Sequence, residues 1–486
     1  MPEYKLFAQR VGLTGIVNII VSLRGLILLP ILTKTLGTDL YGVWTLILVT
    51  ISLLMPLCLL GLSTAMIRFF AAERDKNKIK QDFYAVFTLI TLFSVLLASI
   101  VFAFSEPLAI AFFGGSSSIT FVRLLSPIII LTTLDVICIE FFRAFQQMKK
   151  YVGLSILQQI LEIIFISYAI LSGYSLFGAL LSLIVVRAFL LLLGFLIINS
   201  QIGIGRPSLN LSVLKPYLSF SLPLIPATIS YLIVNLSDRY VIGYFLGVAS
   251  VGIYSAAYNI GSIVGIFMGP ISINLFPAIS NLYENNKMDE LKTHLEYSLK
   301  FYLMFAIPSL FGLAVLSKSL LATLTTSEFL SAYLIVPIVA LAVILFNCRS
   351  VFFDVLTLLK RTKVIGLIYG IAALLNLILN IILVPVIGIL GAAISTLLTF
   401  FIFAVIVGIL SFKELPFEID VKFILKSVIA SVPMAFIVWN LNPYGAVDIL
   451  IAVGIAAVIY FGVLILLRGF TKDEYEFLRD IVKSVI

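Results

Sequence analysis

The stretch Leu36-Gly37-Thr38-Asp39-Leu40-Tyr41-Gly42-Val43-Trp44 joins two long apolar runs, and the chain says nearly the same thing again at Leu246-Gly247-Val248-Ala249-Ser250-Val251-Gly252-Ile253-Tyr254. Both glycines, the branched aliphatic residue and the closing aromatic recur at an offset of 210 residues. Arg24 stands just before the first copy, in the middle of an apolar run. A duplicated turn beside a charge at membrane depth predicts a two-lobed membrane transporter with something anionic at its centre.

Working outward, the composition agrees. The 486 residues are 62% hydrophobic and 12% charged, where soluble domains carry roughly 25% charge. A mean hydropathy of +1.19 places nearly the whole chain in the bilayer. Each spanning helix needs about 20 apolar residues. Fourteen runs are bounded by charged or Gly/Pro-rich breaks: 11–33, 41–66, 83–105, 119–142, 151–172, 176–199, 217–243, 251–277, 298–317, 331–358, 364–386, 389–411, 423–440 and 446–467. The N-terminal run is too long for a signal-peptide core and reads as a first helix that stays. Cys58, Cys138 and Cys348 lie inside apolar runs, which argues against disulfide or metal and for small buried hydrophobes.

Lys/Arg asymmetry sets the orientation. With the N-terminus in the cytoplasm, 25 of the 32 Lys/Arg residues fall in inner segments, only Lys34 and Lys318 fall outside, and Arg24, Arg123, Arg187, Arg239 and Arg349 lie within runs. That asymmetry needs an even helix count with both termini cytoplasmic. It also accounts for the net charge of +8 without nucleic acid.

A second repeat supports the first. Leu176-Phe177-Gly178-Ala179-Leu180-Leu181-Ser182 matches Ile389-Leu390-Gly391-Ala392-Ala393-Ile394-Ser395 at an offset of 213. The expected fold is therefore all-α and polytopic: two parallel six-helix repeats plus two extra C-terminal helices, with the substrate path between the repeats. The expected divisions are an N-lobe at 1–199, a cytoplasmic linker at 200–216, a C-lobe at 217–411, and helices 13–14 with a cytoplasmic tail at 412–486. The tail from Arg468 reads as a short helix on the inner membrane surface.

No phosphate-cradling loop, HExxH, Cys/His metal spacing or GxSxG is present, so neither an enzyme nor a resident metal or cofactor is expected. The informative groups are ionisable residues at membrane depth, where a charge costs at least ~2.5–3.5 kcal/mol and normally faces the bundle interior or a wet cavity. Arg24, with Asn18 near it, is the candidate ligand for an anionic headgroup; the competing reading is a structural pair with an acid such as Asp135. Tyr231, Asn235 and Asp238 share a helix face expected to look across at Arg24, with Arg239 beside them; Asp238 and Arg239 are read either as neutralising each other or as pairing with sugar hydroxyls and phosphate. Arg349 is a further substrate candidate. Glu162 and Arg187 flank the Gly173 turn at matching depth and are expected to pair directly. Asp135, Glu162 and Asp354 are the candidates for coupling to a H⁺ or Na⁺ gradient. Gly37, Gly42, Gly247, Gly252, Gly178 and Gly391 are read as structural repeat positions. Pro223, Pro226 and Gly269-Pro270 are candidate hinges.

The repeated Leu-Gly-x-x-x-x-Gly-Val/Ile-Trp/Tyr turn, fourteen runs and an arginine in the first resemble the polysaccharide-exporter branch of the MOP superfamily, and within it the O-antigen and capsule repeat-unit (Wzx-like) flippases. The resemblance implies a MATE/MOP-like pair of lobes around a cationic cavity in the bacterial cytoplasmic membrane. It implies an undecaprenyl-diphosphate-linked oligosaccharide substrate, moved to the outer leaflet by alternating access, with Arg24 on the diphosphate and helices 13–14 as a groove for the lipid tail. A polysaccharide polymerase and a chain-length regulator become the expected partners. The alternatives are a lipid II flippase and a MATE-type drug/cation antiporter. Arginines tied up by carboxylates inside one lobe would favour the antiporter.

Overall fold

The computed structural model describes residues 2–70 and 73–469, with side chains described from Arg24 onward except at 362. Asn18 and the surface helix expected beyond Gly469 lie outside the described side chains or residues. The described chain is helical, with no strand among the described residues: α1 Pro2–Leu59, α2 Leu62–Phe70, α3 Lys76–Ala103, α4 Ser105–Phe112, α5 Ile119–Ala144, α6 Met148–Leu171, α7 Ser175–Ile202, α8 Leu211–Ser221, α9 Ile225–Leu246, α10 Val248–Gly261, α11 Met268–Glu284, α12 Met288–Leu324, α13 Ile335–Leu358, α14 Thr362–Ile387, α15 Ile389–Glu414, α16 Val421–Leu441 and α17 Ala446–Leu466. Thirteen stretches among the described residues are long and apolar enough to cross a membrane. One of them, Arg24–Leu59, holds parts of two expected runs, and the non-helical backbone of Gly37 (φ 70, ψ −172) kinks α1 into two helices between them.

Helices are the only answer such a sequence has, since a lipid-facing backbone must satisfy its own N–H and C=O groups. Polar side chains inside the runs follow the same rule. Thr33, Thr50, Thr133 and Ser182 each return a hydroxyl to the carbonyl four residues back. Helix starts are capped where a cap residue is available: Asp75 accepts from Asn77 N, Asn210 from Ser212 N and Asp420 from Phe423 N. A 3-10 break lies at or just before each expected hinge. Leu222–Leu224 contains Pro223, and Ser262–Phe267 precedes Gly269-Pro270.

The chain forms two compact units, Met1–Ala256 with Lys363–Thr399, and Ala257–Thr362 with Phe400–Ile486. In the first, an aromatic core of Phe70, Phe83, Phe141 and Tyr217 holds α2, α3, α5 and α8 together. The segment after α7 is tied down as it leaves the helix. Tyr84 donates to Asn199 at 2.6 Å, and Gly205 sits so close to the Tyr84 ring that a Cβ there would overlap it. In the second unit, Met304, Phe423, Met434, Tyr460 and Leu464 pack α12, α16 and α17, with the Tyr460 hydroxyl donating to the Met304 carbonyl at 2.9 Å.

Candidate functional site

The α6–α7 hairpin sets the geometry. Gly173 makes the turn at φ 86. Gly178, one turn into α7, has no room for a side chain against Tyr174 and Ala169. The repeat partner Gly391 lies as tightly against the backbone of Leu383 and Val384, across the turn at Gly388. Each repeated glycine is therefore a point where antiparallel helices close together. In the first hairpin this closeness brings Glu162 of α6 level with Arg187 of α7.

Arg187 then bonds two acids at once, Glu162 Oε1 at 2.9 Å and Asp135 Oδ2 of α5 at 3.0 Å. Arg24 of α1 reaches Glu162 Oε2 at 2.7 Å and Gln159 Oε1 at 3.4 Å. The short Arg24–Glu162 contact is an ion pair without the alignment of a directed hydrogen bond. Gln158 donates to Glu162 Oε1 at 3.2 Å. Four helices thus contribute one charge each to a quartet of two cations and two anions, formally neutral. The acids are sealed, at 1% and 0% exposure for Asp135 and Glu162, while Arg24 is the most accessible member at 18%. The expected Glu162–Arg187 pair is present. Arg24 does pair with a buried acid, as the competing reading had it, but the acid is Glu162, since Asp135 is taken by Arg187.

On α9, Asp238 turns to its neighbour and to Tyr254, in keeping with the reading in which Asp238 and Arg239 neutralise each other. Asp238 is 2% exposed and turns to Arg239 Nη1 at 2.6 Å and to the Tyr254 hydroxyl at 2.6 Å. Arg239 also donates to the Asn235 carbonyl at 2.8 Å and lies over the Tyr254 ring. Adjacent opposite charges cancel locally, which is why this pair is tolerated in the membrane. Asn235 is half-buried and donates its amide to Tyr231 O.

In the second unit, Arg349 is buried at 5% among the rings of Phe346, Phe403 and Phe353, at 4.2, 4.7 and 5.1 Å, and its Nε donates to the Phe346 carbonyl. Guanidinium–ring contacts of this kind hold a cation in an apolar setting. Asp354 is half-buried further along the same helix. Arg123 donates to Ser105.

Two features escaped the sequence reading. One is Tyr254, the aromatic that closes the second turn, whose hydroxyl secures Asp238. Its presence where the first copy has Trp44 was the available signal. The other is a buried polar chain in the first unit. Ser237 donates to Asn376, which reaches Thr399, and Asn380 donates back to Asn376. Two asparagines four apart in an apolar helix were its trace in the sequence.

Comparison with known proteins fits this geometry. The profile of the family described as "Polysaccharide biosynthesis protein" matches residues 7–283, and that of MatE matches 223–382. The chain is 28% identical over 232 residues to the probable low-salt glycan biosynthesis flippase Agl15 of Haloferax volcanii, covering 47% of this chain and 48% of that protein. It is 29% identical over 296 residues to the probable flippase AglR of the same organism, covering 57% and 61%. These matches therefore span about half to three-fifths of the curated relatives. The fold is that of the lipid II flippase MurJ in an inward closed conformation, at TM-score 0.76 and 19% identity over 96% of this chain and 99% of that one. With more than half of its length matched by the family profile and its helices laid out as in that flippase, the chain is a multi-pass membrane protein that belongs to the polysaccharide biosynthesis protein family of the MOP superfamily.

Proposed function

We propose that this protein flips a polyprenyl-diphosphate-linked oligosaccharide, undecaprenyl in a bacterial cytoplasmic membrane, from the inner to the outer leaflet for surface-glycan synthesis. The observation that carries the reading is the asymmetry of the quartet. Arg24 is its most accessible member, and its partner Glu162 keeps a second cation, Arg187, at 2.9 Å. A diphosphate can take Arg24 without stranding Glu162 as an unpaired buried acid. Arginine suits the task, because its fork donates two parallel hydrogen bonds to one phosphate and never deprotonates. Alternating access would then carry the headgroup across while Arg24 exchanges partners. The relatives named for glycan flipping support the substrate class.

The test is a strain lacking the gene, complemented with Arg24→Ala or Arg24→Lys. Arg24→Ala abolishes surface glycan and accumulates its lipid-linked precursor, with the protein inserted at normal levels; Arg24→Lys restores part. Normal glycan from the Ala variant removes Arg24 from the substrate site. One observation favours a cation-coupled exporter instead: Arg24 and Arg187 are matched by the sealed acids Asp135 and Glu162, which could take up H⁺ or Na⁺ as drug antiport requires. That reading expects Arg24→Ala to leave glycan intact and Glu162→Gln to abolish extrusion of an organic cation.

A further inference from the structure

The two copies of the organising turn meet each other. A Cβ on Gly42 would overlap the carbonyl of Val248, and a Cβ on Gly252 would overlap the carbonyl of Thr38. Thr38 and Val248 are themselves equivalent at the offset of 210. The contact is therefore reciprocal: each copy's second glycine rests on the backbone that follows the other copy's first glycine. Gly37 and Gly247 adopt the same backbone, φ 70 with ψ −172 and φ 83 with ψ 167, a region open essentially to glycine alone. A self-complementary patch of this kind is what a two-fold axis produces.

The seam is sealed around this centre. Thr50 Oγ1 and the Tyr240 hydroxyl share a hydrogen bond at 2.6 Å, Phe112 stacks edge-on with Tyr240 at 5.2 Å, and Gly114 lies where a Cβ would press on Val248. Gly243 backs onto the Phe112 carbonyl. Tight backbone approach through small residues, with a side-chain hydrogen bond beside it, holds well in a membrane and still parts as a unit. Helix α9 places the seam: it runs 22 residues from the linker end to Gly247, about 33 Å at 1.5 Å per residue. The seam thus lies on the membrane face opposite the linker.

We propose that this reciprocal glycine contact is a gate between the two repeats, shut in this structure, that parts when the carrier opens the face opposite the linker. The proposal rests on the carrier reading, and its test separates the two. In a background with Cys58, Cys138 and Cys348 replaced, the fully buried Val251 becomes the reporter as Val251→Cys. Labelling of intact cells with a membrane-impermeant maleimide is slow in this parent. Gly42→Ala and Gly252→Ala each prop the seam and raise the rate several-fold, by equal amounts, because the contacts they break are equivalent. Gly408→Ala, which has open space for a Cβ, leaves the rate unchanged. Separately, Thr50→Cys/Tyr240→Cys joined by a short reducible bifunctional thiol reagent stops glycan delivery until the bridge is reduced. Unchanged labelling in both glycine variants, or transport through the bridged carrier, overturns the gate. If labelling rises as described while glycan delivery never depended on the protein, the gate stands and the proposed substrate falls.

Discussion

Replacing Arg187 with leucine tests whether the quartet is a connected electrostatic unit. Arg187 is bonded to Glu162 at 2.9 Å and to Asp135 at 3.0 Å, and both acids are sealed from solvent. Removing it leaves Glu162 with Arg24 but takes from Asp135 its ion partner, and the cluster passes from neutral to one net negative charge. Breaking a buried pair from one side costs about 3–5 kcal/mol, a shift of roughly two to four orders of magnitude in the folding equilibrium. Arg24→Leu also leaves one net negative charge, yet both acids keep Arg187, and Arg24 is the more exposed cation. Losing that one charged contact costs about 1.5–3 kcal/mol. The double variant Arg187→Leu/Asp135→Leu restores neutrality as Arg24–Glu162. Well-packed apolar replacement of a whole buried pair is often neutral or stabilising, so it recovers most of the loss. The assay is thermal unfolding of the purified protein in detergent, followed by loss of monodisperse material. Equal costs for Arg24→Leu and Arg187→Leu, or a double variant no better than Arg187→Leu, would refute a shared network with Arg187 at its centre.

Further outcomes follow from the same contacts. Gly37→Ala and Gly247→Ala each force a side chain into backbone space that costs about 1–3 kcal/mol, and thermal unfolding should fall by similar amounts in both. Tyr254→Phe removes a 2.6 Å hydrogen bond to Asp238, with a cost of about 1.5–3 kcal/mol; a loss no larger than that from an exposed Tyr→Phe control counts against the role given to this hydroxyl. Asp420 caps α16 and meets Lys300 at 3.0 Å. Partial burial opposes its ionisation, but the Phe423 N–H and the Lys300 ammonium hold the carboxyl below its ordinary value. Its contribution is therefore complete above about pH 4, the unfolded value, and is lost as pH falls through the lower folded one. Asp420→Ala should cost about 1 kcal/mol at pH 7 and progressively less under acid, measured as the difference between the two unfolding curves.

Much of this was legible in the sequence because the bilayer simplifies the problem. Apolar runs can only become helices, and breaks between runs mark their ends, so α5, α6, α7 and α13 lie close to their expected limits. Depth was legible too, since helical rise fixes how far a residue lies from its turn. Counting from Gly173 was enough to level Glu162 with Arg187. Azimuth was not legible. Whether Arg24 meets Asp135 or Glu162 depends on which face of α1 packs on α6, and apolar residues surround the whole helix, leaving no stripe to orient it. The same ambiguity turned Asp238 inward to Tyr254.

The duplicated turn shows what such a repeat can and cannot report. Its glycines were visible as a pattern, but a pattern gives no reason for two glycines of different kinds. The structure separates them: Gly37 and Gly247 are needed for backbone conformation, Gly42 and Gly252 for contact with the other copy. A turn conserved only for shape would need the first glycine and tolerate alanine at the second. That the second glycine recurs in both copies, and that each copy's second glycine faces the equivalent carbonyl of the other, ties the spacing to a meeting of the two halves. The same logic bears on charge. In the first unit two groups of buried charges are matched, Arg24 and Arg187 with Asp135 and Glu162, and Arg239 with Asp238. Of these two sets, the first has a member at its edge that can change partners while the acid it leaves stays paired, which is why the proposed headgroup contact is assigned to Arg24 and not to Arg239.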